Sequence, residues 1–113
     1  MSHNRLAVYG TLAPGESNNH VLESHITGGW SKGWVHGEVR PHTWGEYQGY
    51  PGFVVDSKLP EVPIHLFESD QLSDHWERLD RFEGEGYRRI EVDAKLDSGE
   101  IVKAFIYESM PPP

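Results

Sequence analysis

Residues 69–108 read SDQLSDHWERLDRFEGEGYRRIEVDAKLDSGEIVKAFIYE, and this stretch decides the fold class. Its first part carries Leu72, Trp76 and Leu79 at spacings of four and three. That period places the three side chains on one face of a helix. The helix is expected over residues 69–82, with Ser69 or Asp70 as its cap and Gly84 where a glycine suits the C-terminal turn. From Tyr87 the pattern changes. Tyr87–Leu96 and Ile101–Glu108 have the composition of two longer strands, and Asp97-Ser98-Gly99 between them is a hairpin signal.

Upstream, strands and turns dominate. Leu6-Ala7-Val8-Tyr9 is a short apolar run stopped by Gly10, as in a buried strand. Residues 11–19 are polar and punctuated by Gly and Pro, which makes a loop. His20–His25 suits a short helix capped by Asn18 or Asn19 and ended by Gly28-Gly29. Residues 30–40 alternate large and small side chains and are interrupted by Gly33 and Gly37, as in a bent strand closed by Pro41. Pro51-Gly52 reads as a turn, Phe53–Val55 as a strand, Leu59–Pro63 as an edge or connector, and Ile64–Phe67 as a further strand. Met110 and the three prolines after it form a tail that cannot pair inside a sheet. There is no internal repeat and no linker. Strands outnumber helices without alternating regularly with them. The expected architecture is α+β: one domain over residues 1–113, a small mixed β-barrel flanked by one or two helices.

The composition narrows the function. The chain has 113 residues, with 10 Lys and Arg against 18 Asp and Glu, for a formal charge of −8. Such a chain repels phosphate backbones and anionic lipid, so neither nucleic acid nor membrane is an expected partner. There is no cysteine, which excludes disulfides, thiolate metal sites and cysteine nucleophiles, and fits a cytoplasmic location. No apolar run approaches the ~20 residues of a membrane-spanning helix, and the opening MSHNRLAVYG has no apolar signal region.

Two segments have the makings of a site. The turn Tyr9-Gly10-Thr11-Leu12 follows a strand and exposes successive backbone amides, an arrangement that holds a carboxylate or carbonyl oxygen. It reads equally as a tight surface loop. The longer stretch from Gly10 to Ser17 mimics a phosphate loop in spacing, but Glu16 stands where a lysine must meet the phosphates, and a nucleotide is rejected. The second segment is Leu79–Arg89. A carboxylate at a helix end beside glycines can project into a cavity and carry a proton when shielded from water. The alternative is an exposed acidic helix end, with Arg88 and Arg89 as solvated partners. The seven histidines (His3, His20, His25, His36, His42, His65 and His75) show no metal-ligand spacing, so no metal is expected. No Gly-x-Ser-x-Gly elbow exists. Trp30, Trp34, Trp44, Tyr47 and Tyr50 fit a stacking surface, and equally core or strand-pair positions.

Taken together, these residues resemble the gamma-glutamylcyclotransferase-like family. Val8-Tyr9-Gly10-Thr11-Leu12 resembles its Tyr-Gly-Ser-Leu loop, with Thr11 keeping the hydroxyl. Leu79-Asp80-Arg81-Phe82-Glu83-Gly84 followed by Tyr87-Arg88 resembles its Leu-Asp-x-aromatic-Glu-Gly motif. Tyr50-Pro51-Gly52 resembles a third feature between them. The three occur in the family's order and span most of the chain. The resemblance implies a small mixed barrel with a cavity at one end. It implies an enzyme that cyclises a gamma-glutamyl amine or peptide to 5-oxoproline, releasing the amine. By the same resemblance Glu83 is the general acid/base, and Tyr9, Gly10, Thr11, Leu12 and Tyr87 bind substrate. No metal or organic cofactor is implied. The expected partner is a small gamma-glutamyl molecule, and the expected assembly is a monomer or homodimer. One departure stands out: relatives often carry a Gly-Glu pair where this chain reads Pro63-Ile64-His65-Leu66, which bears on the leaving-group side. The other reading, from a different class, is a non-catalytic small-molecule-binding module on the same fold.

Overall fold

A computed structural model gives the fold. It describes residues 2–46 and 48–111, and of Ser2 only the backbone. Tyr47, a member of the aromatic group above, and the last two prolines lie outside the described residues.

The strands are β1 (Arg5–Val8), β2 (Gly29–Pro41), β3 (Pro51–Val55), β4 (Glu61–Glu68), β5 (Tyr87–Leu96) and β6 (Ile101–Ser109), with helices α1 (His20–Glu23) and α2 (Trp76–Glu83). The sheet order is β3-β2-β4-β1-β6-β5, and a further pairing of β2 with β5 closes five of the strands into a barrel. Only β1 and β6 run parallel; the other pairs are antiparallel. The barrel closes at Gly33 and Trp34, opposite Leu96 and Lys95. Gly33 is there for space: a Cβ on it would lie 2.6 Å from the Lys95 carbonyl oxygen.

The two-residue period of a strand divides the apolar residues between two cores. In β1, Ala7 faces the barrel interior with Val35, Phe53, Ile64, Leu66, Val92, Ala94, Val102, Ala104 and Ile106. Leu6 and Val8 face the other way, into a second core with Leu22, Phe67, Leu72, Trp76, Leu79 and Tyr107. β1 is therefore buried on both faces, which is why it reads as a continuous apolar run. Tyr9 continues the Ala7 side, and its ring packs on Phe53 with centroids 5.2 Å apart.

Leu72, Trp76 and Leu79 are all buried, as their spacing predicts. Burying such side chains is worth roughly 1.5–3 kcal/mol each. The helix is not continuous, however. Asp70–Asp74 is a 3-10 turn, and His75, at φ −118° and ψ 0°, separates it from α2. Serine side chains compete for backbone groups here: Ser69 Oγ, at the N-cap, accepts from the Gln71 amide, and Ser73 Oγ donates to the Asp70 carbonyl. Gly84 takes φ +79° and ends α2 directly after Glu83.

Three other expectations need correction. Pro51 and Gly52 belong to β3, and the turn before them closes through the Gly49 amide on the His42 carbonyl. α1 stops at Glu23, well before Gly28-Gly29, and Gly29 already starts β2. Asn19 stands at the N-cap of α1 but makes no side-chain capping bond; both Asn18 and Asn19 turn back to the preceding loop instead.

Candidate functional site

The loop after β1 uses up its own carbonyls. The Gly10 carbonyl accepts from the Ala13 amide at 3.1 Å, and the Thr11 carbonyl accepts from the Asn18 amide at 2.8 Å. The Leu12 carbonyl accepts from Asn19 Nδ2 at 3.0 Å. A trans peptide aims its N–H opposite its C=O, so the Thr11 and Leu12 amides face away from these internal bonds. The Leu12 side chain is buried in the second core and anchors the loop.

Glu83 meets this loop across one cavity. The lining includes Tyr9, Gly10, Thr11 and Leu12 from the loop, Asn18 beyond it, and Phe82 and Glu83 from the end of α2. Tyr50, Pro51, Tyr87 and Tyr107 add to the wall, with Ala7 and Val8 of β1 at its base. The empty space measures about 520 Å³, counting the part open to solvent. All six residues singled out from the sequence (Tyr9, Gly10, Thr11, Leu12, Glu83 and Tyr87) therefore line a single pocket, together with Tyr50 and Pro51 of the third motif.

The electrostatics of the pocket favour neutral groups. Burial pushes the Glu83 carboxyl up from 4.5 to about 7. Burial, and then the neighbouring Glu83 charge, raises the Tyr9 hydroxyl well above its ordinary value. The Tyr107 hydroxyl is raised too, by burial first and then by its bond to Asp80. Glu83 is thus the group of the pocket whose proton is exchangeable near neutral pH.

Hydrogen bonds fix the walls. The Tyr9 hydroxyl donates to the Tyr107 carbonyl at 2.6 Å, and the Tyr107 hydroxyl donates to Asp80 Oδ1 at 2.7 Å. Asp80 also receives Arg89 Nε at 3.0 Å and Nη2 at 3.2 Å, a two-pronged pair. The Arg89 guanidinium lies 4.6 Å from the ring centres of both Trp76 and Phe105. Tyr87 donates its hydroxyl to the Pro51 carbonyl at 3.1 Å and stacks on His42 at 4.9 Å.

Several residues differ from the reading of the sequence. Arg88 and Arg89 are not merely solvated partners of an acidic helix end: Arg88 pairs with the buried Glu108 at 2.8 Å, and Arg89 with Asp80. Glu85 is exposed and borders a separate cleft with His42, Trp44 and Glu46. Trp30 packs on Phe67 and His65, whereas Trp44 packs on His42 and donates its indole N–H to the Met110 carbonyl. Pro63 and His65 border an outer cleft that shares Tyr9, Gly10, Thr11 and Pro51 with the main pocket. Among the described residues no group of three His, Asp or Glu side chains is placed to hold a metal ion.

Asn18, Asp80 and Tyr107 are the residues the sequence did not single out. Asp80 sits inside a motif whose chemistry points first to its glutamate, Glu83. Tyr107 looks like any strand residue, and Asn18 like any helix cap.

A family model described as gamma-glutamyl cyclotransferase, AIG2-like matches residues 6–113. No curated protein matches the chain. Among solved structures, an AIG2-like protein of mouse is similar at TM-score 0.73 and 24% identity, over 97% of this chain and 79% of that one. An uncharacterised protein of Pyrococcus horikoshii is similar at TM-score 0.62 and 28% identity, over 96% of this chain and 80% of that one. A structure described as gamma-glutamyl cyclotransferase is similar at TM-score 0.63 and 17% identity, over 94% of this chain and 66% of that one. At these identities the mouse protein and the last one speak to the fold alone. With its barrel, its cavity and a family match over nearly its whole length, the chain belongs to the gamma-glutamyl cyclotransferase, AIG2-like family.

Proposed function

We propose that the protein cyclises a gamma-glutamyl amine or peptide to 5-oxoproline and releases the amine, with Glu83 as general acid/base. The observation that carries this reading is the position and state of one carboxyl: Glu83 faces the Tyr9–Leu12 loop across the cavity, and burial pushes it to about 7.

The substrate's α-amine is protonated in neutral water and cannot attack until it loses that proton. Glu83 accepts it. The freed amine nitrogen then forms a bond to the γ-carbonyl carbon. The bond from that carbon to the leaving nitrogen breaks as Glu83 returns the proton to it; the regenerated carboxylate then takes the second proton of the ring nitrogen and passes it to the departing amine, giving 5-oxoproline and the amine as its ammonium ion. Raising the glutamate from 4.5 to about 7 brings it towards the amine it must deprotonate. At about 1.4 kcal/mol per unit, this lowers the cost of the transfer by about 3 kcal/mol.

The donors of the loop suit the substrate's carboxylate or the oxyanion that develops on the attacked carbonyl. Ring closure is intramolecular, so the pocket has mainly to hold the chain folded. Tyr9 and Tyr87 serve as walls: each hydroxyl is committed to a backbone carbonyl. The outer cleft by Pro63 and His65 is where a leaving amine would extend. The test is a panel of gamma-glutamyl amino acids, peptides and amines assayed for 5-oxoproline. Release from at least one, abolished in Glu83→Gln, supports the reading. Binding without release across the panel supports a binding module instead.

A further inference from the structure

The Thr11 hydroxyl has one side-chain partner among the described residues, and that partner donates to it. Asn18 Nδ2 lies 3.0 Å from Thr11 Oγ1. An amide nitrogen has only protons to give, so the hydroxyl oxygen is the acceptor. Its own proton finds no protein acceptor among the described residues, and both residues line the cavity. Beside it stand the Thr11 and Leu12 amides, turned away from the bonds that close the loop.

We propose that Asn18 is a positioning residue, which directs the Thr11 hydroxyl proton into the cavity and so adds a side-chain donor to the loop amides that hold the carboxylate of the guest. This deepens the cyclotransferase reading, since both the substrate and 5-oxoproline carry a carboxylate. A threonine hydroxyl left to itself donates or accepts with equal ease, and would accept from an amide or an ammonium. With Asn18 on one of its two lone pairs, the hydroxyl turns its proton away from Asn18 and offers it to an acceptor in the cavity. Asn19 reinforces the arrangement by holding the Leu12 carbonyl. The backbone bond from the Asn18 amide to the Thr11 carbonyl does not depend on the Asn18 side chain. Substitution of that side chain therefore leaves the loop closed.

The experiment is a double-mutant cycle read by calorimetric or NMR titration with 5-oxoproline. In the otherwise unmodified protein, Asn18→Ala is expected to weaken binding by about tenfold, the scale of one hydrogen bond to a charged group. In a Thr11→Ala background the same change is expected to have less than about a twofold effect, because nothing remains to be oriented. Asn18→Asp is nearly the same shape, but it accepts the Thr11 proton and adds a negative charge. It is expected to weaken binding more than Asn18→Ala. Equal losses in the two backgrounds, as for a residue that merely braces the loop, overturn the proposal. So does tighter binding by Asn18→Asp, or the absence of 5-oxoproline binding by the unmodified protein. The coupled pattern with no 5-oxoproline release from any gamma-glutamyl compound upholds the role of Asn18 and overturns the cyclotransferase reading.

Discussion

Tyr9 donates its hydroxyl to the backbone carbonyl of Tyr107, 98 residues away in sequence, at 2.6 Å. Tyr107 then donates its own hydroxyl to Asp80, at 2.7 Å. One residue of β6 is thereby joined to both motifs: to the loop through its backbone and to α2 through its side chain. Asp80 lies one helical turn before Glu83. The same carboxylate is held by Arg89, whose guanidinium packs between Trp76 and Phe105. The place of Glu83 opposite the loop is thus set by contacts from β5, β6 and the loop after β1 together.

Tyr9→Phe keeps the ring against Phe53 but removes the bond to Tyr107. It is expected to lower stability by about 1–2 kcal/mol, the usual cost of an unmade buried hydrogen bond. Denaturant unfolding measures it. A loss much smaller than this would mean that the Tyr107 carbonyl finds another partner.

Glu83→Gln keeps the shape of the side chain but cannot take up a proton. Turnover is expected to fall by on the order of 10²–10⁴-fold with ligand affinity retained. Glu85→Gln, on an exposed side chain outside the pocket, is expected to leave turnover within about twofold of the unmodified protein. Steady-state assays of 5-oxoproline release decide between the two carboxylates. The reverse order of effects would move the proton carrier to Glu85.

The sequence revealed what depends on local periodicity and on motif order. Leu72, Trp76 and Leu79 announce a buried helical face because three side chains on one stripe leave a repeat. The Asp97-Ser98-Gly99 turn announces its hairpin because Gly99 takes φ +91°, which other residues resist. Barrel closure was expected in outline, but its site at Gly33 was not legible. It depends on Leu96, 63 residues further on, approaching that one glycine. Asn19 does stand at the N-cap of α1, but the bonds that the Asn18 and Asn19 side chains make are not legible in the sequence, for a related reason. Asn is a good cap, and only the folded loop shows that Thr11 and Leu12 offer these side chains better partners. Of the pocket, the two motifs were legible and the Asp80–Tyr107 link was not, since strand position alone does not reveal where a tyrosine hydroxyl ends.

Leu79→Ala tests the packing under Glu83. Leu79 is fully buried in the core shared by α2 and β1. Truncation there is expected to cost about 2–5 kcal/mol in unfolding free energy. Because α2 carries Glu83, turnover is expected to fall as well, even at temperatures where the variant is folded. A stable variant with unchanged turnover would show that the helix end is held by the Asp80 contacts alone.

The raised Glu83 pKa gives two pH dependences of opposite use. A carboxyl at about 7 when folded and 4.5 when unfolded holds its proton more tightly in the native state. Its favourable contribution to stability is complete below pH 4.5 and is lost as the pH rises through about 7. Glu83→Gln stays neutral throughout. The variant's stability relative to the unmodified protein is therefore expected to rise by about 2–4 kcal/mol between pH 4 and pH 8.5. Catalysis needs the form that stability disfavours. As general base Glu83 must be ionised, so kcat/KM is expected to climb with pH through an ascending limb near 7, far above an ordinary glutamate. Unfolding curves and pH–rate profiles of the same preparation measure the two effects. The stability difference is expected to level off at the pH where the rate limb has its midpoint, because both are set by the folded-state titration of one carboxyl. A limb near 4.5 beside a stability difference that stays flat from pH 4 to 8.5 would show that water reaches Glu83 and that the pocket does not tune it.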